Sequence, residues 1–167
     1  MRVVWRLCAA RHAKTAFSGE GARLFGGRWN DKGTPLVYTS STLALSMVEI
    51  LVHVDEVPAD FVAIRAEIPE RVRVERLPAT RLPRNWRVHP APSRLQAIGT
   101  EWALSSRSLA LEVPSAIIPQ EKNVLINPLH PDVGALRVHK PVRFTFDRRL
   151  KYRTAATPRT TPARCSR

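Results

Sequence analysis

Cysteine is nearly absent from this chain: 167 residues contain two, Cys8 and Cys165, at opposite ends. With no CxxC and no Cys/His spacing, the pair supports neither a disulfide framework nor a zinc site, and it fits a reducing interior. The five histidines (His12, His53, His89, His130 and His139) follow no HExxH-like spacing, so no metal is expected. Long apolar runs are missing as well. No stretch reaches the roughly 18 residues of a membrane span, and residues 1–6 hold no signal-peptide core, which predicts a cytoplasmic protein without a membrane segment. GxGxxG and GxxxxGK[ST] loops are absent, so any nucleotide bound here is held by other means. GxSxG is absent too, which leaves no nucleophile elbow.

Acidic residues are scarce: 14 Asp and Glu stand against 27 Lys and Arg, a formal charge of +13. Clustered cations release counterions from nucleic-acid backbones, so a basic nucleic-acid-binding module is one reading. The placement of the charge weakens it. From Lys151 onward the chain has five basic residues and no acid, which leaves +8 on residues 1–150. There the arginines are scattered, with no helix-turn-helix or RNP-like pattern. A basic surface equally suits an acidic protein partner or an anionic small molecule. The length is that of one domain, which at this size buries about 70% of its unfolded surface. Residues 1–150 are read as that domain, and 151–167, rich in Thr, Ala, Pro and Arg, as a disordered basic tail.

Apolar, β-branched segments predict strands over residues 3–7, 36–39, 61–68, 72–77, 109–113 and 142–146, with residues 123–127 apolar between two asparagines. Residues 69–70 suggest a turn, 78–92 an irregular surface connection with four prolines, and 115–119 an extended continuation. Five of the seven glycines fall within residues 19–33, the mark of a tightly folded loop or a close ligand approach. Helices are expected over 42–53, capped by Ser41 or Thr42, and over 95–105, with Leu95, Ile98 and Trp102 inward. Strands outnumber helices without alternating with them, which favours an α+β fold. The first helix is the informative one. Leu43, Met47, Ile50 and Leu51 line one side and Leu45, Val48 and Val52 the other, so burial over most of its circumference is expected. The narrow face left holds Thr42, Ser46, Glu49 and His53, a polar strip that should look into a cavity or a polar network.

Glu49 must therefore be paired, hydrogen-bonded or protonated. Pairing with an arginine is one account. The other is a carboxylate at a pocket, able to bind a ribose hydroxyl and stabilise an oxocarbenium-like transition state. Arg28, after Gly26 and Gly27, is either a loop arginine or a bidentate pyrophosphate ligand beside open backbone amides. Tyr38 is either a core aromatic or a wall on which a flat ring stacks. Asn30 belongs to a turn but could reach a ribose or an amide. Ser115, at a strand end, is a positioning hydroxyl rather than a nucleophile, and Asn123 and Asn127 most simply tie loops to backbone.

Five ordered segments closely resemble the RES-domain toxins: residues 26–30 (GGRWN), 33–38, 44–49, 113–115 and 123–131. The likeness runs from about Val4 to Leu150. It implies an α+β, ADP-ribosyltransferase-like fold with a central β core and flanking helices. It also implies a bacterial type II toxin that degrades NAD by cleaving the nicotinamide–ribose bond, through hydrolysis or phosphorolysis. In this family the alternative is transfer of ADP-ribose to a specific protein. NAD is then a substrate, with inorganic phosphate a candidate co-substrate and no separate cofactor. The implied partner is an Xre-type helix-turn-helix antitoxin in a hetero-oligomeric complex, through which alone DNA would be contacted. Carried over by residue, the resemblance puts Arg28 on the NAD phosphates, Tyr38 by nicotinamide, Glu49 on the ribosyl cation, and Ser115 at the ribose. Asn30 and Asn127 complete the expected pocket.

Overall fold

The computed structural model describes residues 1–54 and 59–150. The tail expected to be disordered lies outside them. Among the described residues eight strands form one sheet: β1 (Arg2–Ala9), β2 (Val37–Ser40), β3 (Phe61–Ile68), β4 (Val74–Arg76), β5 (Ala110–Pro114), β6 (Lys122–Ile126), β7 (Arg137–Val138) and β8 (Val142–Phe144). Their order is β4-β5-β6-β2-β1-β3-β7, with β8 also on β3. All pairings are antiparallel except β4 with β5. Among the described residues three α-helices accompany the sheet: α1 (Glu20–Phe25), α2 (Leu43–Leu51) and α3 (Ser93–Ser105). The architecture is α+β, as expected.

The period-2 alternation of strands separates two cores. Val37, Ala110, Val124 and Ile126 pack on one face with Val4, Ala66 and Ile68. Their neighbours Leu36, Leu111, Val113 and Leu125 pack on the other face with Trp29 and Trp86, beneath Leu95, Trp102 and Ala103 of α3. Ile98, expected inward, is only partly buried, and Gly99 takes the contact position instead. A Cβ there would lie 1.9 Å from the Trp29 carbonyl oxygen, so helix and loop backbones touch.

Register brings the chemistry to one end of the sheet. Ser40 at the end of β2 pairs with Asn123 near the start of β6, and Asn123 pairs with Val113 near the end of β5. Two residues beyond Ser40, Thr42 caps α2 by accepting the Leu45 amide at 3.1 Å. The helix then runs back over this end of the sheet. It is less enclosed than its sequence suggests: Leu45, Ser46 and Leu51 are buried, but Val52 is 45% exposed. Of the strand expected over residues 72–77 only β4 (Val74–Arg76) forms, and it lies at the far edge of the sheet beside β5 rather than beside β3. Residues 115–120 are a compact turn rather than an extended run. Among the described residues no helix is long and apolar enough to cross a membrane.

Candidate active site

Glu49 occupies the second turn of α2, within the polar strip expected from the sequence. Its Oε1 accepts hydrogen bonds from the Ser115 hydroxyl at 2.8 Å and the Asn123 amide at 2.6 Å. Oε2 has no protein partner among the described residues. Asn123 is itself held by Ser40, whose Oγ donates to Asn123 Oδ1 at 2.8 Å. Of the strip's other members, Thr42 caps the helix and Ser46 Oγ donates to the Trp5 carbonyl at 3.0 Å, which pins α2 on β1, while the His53 side chain is exposed. The carboxylate is thus fixed from behind by two strands and their turn, without an ion pair among the described residues.

Ser115 is fully buried and lies behind Glu49, not at the cleft wall. Its oxygen accepts the amides of Ile117 and Ile118, both at 3.1 Å, so one hydroxyl closes the turn and orients the carboxylate. Ser115, expected at the ribose, is thus placed against Glu49 and not among the residues that line the cleft.

Arg28 sits across the cleft from this network, in a turn closed by the Gly27 amide donating to the Asn30 carbonyl at 3.0 Å. Its Nη1 donates to the carbonyls of Trp86 at 2.7 Å and Val88 at 3.3 Å. Nε and Nη2 have no protein partner among the described residues. Burial pushes its pKa down, and the nearby Glu49 carboxylate opposes that shift. The glycine amides are not open, contrary to the expectation: that of Gly26 donates to the Ala22 carbonyl at 2.8 Å, and that of Gly27 closes the turn. Gly27 is required for space, since a Cβ would lie 2.5 Å from the Tyr38 hydroxyl.

Tyr38 presents its ring to the cleft and anchors its hydroxyl in the Arg28 turn, donating to Asn30 Oδ1 at 2.7 Å and accepting the Trp29 amide at 3.0 Å. Burial raises its pKa well above the usual range despite the Trp29 amide and the Arg28 charge, so the phenol stays neutral. Asn30 is fully buried, with Nδ2 on the carbonyls of Ala22, Asp31 and Thr34. It builds the loop and does not line the cleft. Asn127 is likewise committed, to the Ala103 carbonyl at 2.8 Å and the Leu129 amide at 3.0 Å, and it too lies away from the cleft. The structure therefore joins Arg28, Tyr38 and Glu49 at the cleft, puts Ser115 behind them, and sets Asn30 and Asn127 aside.

The cleft has a volume of about 970 Å³, at the upper end of the usual range for small-molecule sites. Sequence reasoning missed three features of it. Asn123, rather than Asn127, reaches Glu49. The 78–92 connection is a strap that carries Arg87 and His89 over the cleft and is tied down where Arg87 Nε donates to the Ala116 carbonyl at 2.9 Å. Arg6, on β1, lines the cleft with a guanidinium whose Nη1 donates to the Tyr38 carbonyl at 2.7 Å. A charge amid Val3, Val4, Trp5 and Leu7 was the available signal, the same one that singled out Glu49.

Residues 3–147 match the family model described as the RES domain. The chain is 40% identical over 152 residues to a protein of Photorhabdus laumondii named Toxin Res, with 89% of this chain and 96% of that one covered. It is 36% identical over 152 residues to the Prs ADP-ribosylating toxin of a Sphingobium species, with 87% and 94% covered. Among solved structures it resembles a chain of the M. tuberculosis MbcT–MbcA toxin–antitoxin complex, with a TM-score of 0.69 at 21% identity and 86% of this chain and 84% of that one covered. That likeness shows that the two chains share one α+β fold. With the domain model spanning nearly all described residues and relatives well above 30% identity, this chain belongs to the RES-domain family.

Proposed function

We propose that this protein is the toxin of a toxin–antitoxin pair and that it acts by cleaving the nicotinamide–ribose bond of NAD in the cytoplasm. The observation that carries the reading is the Glu49 carboxylate, with Oε1 held by Ser115 and Asn123 and Oε2 left for a ligand, across a cleft from the unpartnered nitrogens of Arg28. As the C1′–N bond breaks, its electron pair leaves with nicotinamide, which becomes neutral and needs no acid. The positive charge grows on the ribose, where a preorganised carboxylate stabilises it most. An oxygen lone pair of water or phosphate then forms the new C1′–O bond. Arg28 would grip the pyrophosphate through Nε and Nη2, and the Tyr38 ring would stack on nicotinamide.

The names of the relatives support the toxin assignment, and the complex containing the structural neighbour supports an antitoxin partner. We assign that partner to the Xre-type helix-turn-helix class, with DNA contacted only through it. The antitoxin-free protein should release nicotinamide from NAD, and Glu49→Gln should lower the rate by about 10²–10³-fold, the scale of losing a main electrostatic partner of the transition state. A folded wild type that leaves NAD intact with and without phosphate would refute the reading. A second reading, transfer of ADP-ribose to a protein, is favoured by the name of the Sphingobium relative. Labelled NAD in a lysate separates the two: label on a discrete protein band supports transfer, while free nicotinamide without labelled protein removes it.

A further inference from the structure

Of the Phe, Tyr and Trp side chains among the described residues, Phe25 alone is exposed, to 77%. It ends α1 and lines the cleft. An aromatic ring left in water forgoes the burial that holds its counterparts in the core, yet the backbone beneath it is firmly fixed. The Ala22 carbonyl accepts the Gly26 amide and the Asn30 side chain, both at 2.8 Å, and the Arg23 carbonyl accepts the Gly33 amide at 2.8 Å. Phe25 is therefore an exposed ring on a rigid support, so a ligand need not order the chain that carries it.

The cleft is not uniform in charge. Of its arginines, Arg28 reaches the strap at Trp86, Arg87 is tied to Ala116, and Arg6 is tied to the Tyr38 carbonyl. The end formed by residues 15–25 contributes only Glu20, and both of its oxygens are taken by Arg23, at 2.8 Å from Nε and 2.6 Å from Nη2. Those two charges cancel. The remaining lining there is small, with Ala16, Gly19, Gly21 and Ala22. A Cβ on Gly21 would meet nothing within 4 Å, so this wall leaves open space beside the backbone. A neutral slot with one aromatic face suits a flat, uncharged ring, and its lining holds no unpaired cation for a phosphate.

We propose that the α1 end of the cleft is a purine subsite and that Phe25 binds the base by stacking on it, which makes it the residue that selects a dinucleotide over a mononucleotide. That the base is the adenine of NAD rests on the NAD reading above; the binding of a purine does not. With Glu49 at the nicotinamide ribose and Arg28 at the pyrophosphate, adenosine is the uncharged half still to be placed. Phe25 precedes Arg28 by three residues, which span at most about 10 Å of chain. A base joined to a phosphate at Arg28 is thus within reach of the ring. Base–aromatic stacking needs only a π face, which is all that this end of the cleft supplies.

The first arm titrates the antitoxin-free full chain with ADP-ribose by calorimetry. Saturable binding is expected, weakened about fivefold to a hundredfold by Phe25→Ala, the range for losing one base stack. It should be unchanged by Leu129→Ala, which trims a comparably exposed side chain away from the cleft. No saturable binding by the wild type, or equal affinities of the two variants, overturns the subsite. Phe25→Leu separates stacking from plain apolar contact and also serves should Phe25→Ala fail to fold: weaker binding supports the ring, and wild-type affinity overturns it. The second arm follows nicotinamide release from NAD and from nicotinamide mononucleotide, which has the same scissile bond and no adenosine. Phe25→Ala should raise KM for NAD by about fivefold to a hundredfold with kcat near wild type, the pattern of binding lost equally from ground and transition states. Its kcat/KM for the mononucleotide should stay at the wild-type value. Equal losses on both substrates would place the effect in the Arg28 turn and overturn the assignment. Unchanged kinetics on NAD would overturn it too, and would give the ring to a protein partner. ADP-ribose binding lost in Phe25→Ala, with no nicotinamide released from either substrate, upholds the purine subsite and removes the NAD reading instead.

Discussion

Ser115→Ala tests whether this hydroxyl works on the carboxylate or on the substrate. The side chain is fully buried and donates to Glu49 Oε1 at 2.8 Å while accepting two amides at 3.1 Å. A hydrogen bond to a charged group contributes about 1.5–3 kcal/mol. If that contribution holds Glu49 in its working position, its loss lowers kcat for nicotinamide release by about tenfold to a hundredfold, at 1.4 kcal/mol per decade. KM for NAD should stay within about twofold, because the hydroxyl does not reach the cleft. The stranded amides of Ile117 and Ile118 add a stability cost of about 2 kcal/mol, or about 4–8 °C in Tm for a domain of this size. Steady-state kinetics and calorimetry read both effects. In a Glu49→Gln background the same change should cost less than about threefold in rate, since residues acting as one unit are not additive. A raised KM with intact kcat, or full additivity with Glu49→Gln, would show that Ser115 meets the ribose directly and would refute the reasoning.

Three further outcomes are expected. Gly99→Ala should destabilise the protein by about 3 kcal/mol, lowering Tm by about 6–12 °C in a melting scan, because the new Cβ meets the Trp29 carbonyl at 1.9 Å and backbone must move; wild-type melting would show that α3 and the loop are not locked together. Tyr38→Phe keeps the ring but leaves the Trp29 amide and Asn30 Oδ1 unmatched. Denaturant titration should show a loss of about 2 kcal/mol, and no loss would mean that the hydroxyl does not organise the Arg28 turn. Burial raises the Glu67 pKa, but hydrogen bonds from His139 and Arg65 outweigh it and the net shift is downward. Its stabilisation is therefore present above the unfolded carboxylate pKa of about 4.3 and lost as pH falls through the folded value. Wild-type Tm should fall more steeply from pH 5 to pH 3 than that of Glu67→Gln; parallel curves would contradict the sign.

The polar strip of α2 was legible because a charge among Leu45, Met47, Val48 and Ile50 breaks a helical period. Its N-cap followed from Thr42, and the sheet from β-branched runs. What stayed hidden depended on partners distant in sequence. Asn123 and Asn127 flank the same apolar run, and only the pairing of β6 with β2 sends the first to Glu49 while the second falls beyond the strand end. Arg6 carried the same signal as Glu49. In a strand, however, a polar residue between apolar ones also fits outward alternation, so the period that exposed Glu49 concealed Arg6. The helix α1 was lost among glycines: Gly19, at φ 72°, starts it and Gly26, at φ 73°, ends it, so residues read as loop formers are its boundaries. Residues 115–119 read as extended because the capture of two downstream amides by Ser115 is a local competition that propensity does not reveal.

The tryptophans explain why the core and the site are one design. Three of the four hold the site through main-chain atoms. The Trp5 carbonyl receives Ser46 and fixes the helix that carries Glu49. The Trp29 amide donates to the Tyr38 hydroxyl, and the Trp86 carbonyl receives Arg28. Trp29 and Trp86 share one apolar cluster with Trp102 of α3. The separation between Arg28 and Glu49 is therefore set by how that cluster packs, not by any contact between the two. Glu49 is fastened to paired strands, whereas Arg28 depends on the strap and on two indole anchors. It follows that loosening the cluster should move Arg28 before it moves Glu49, weakening the grip on phosphate while the ribose side stays preorganised.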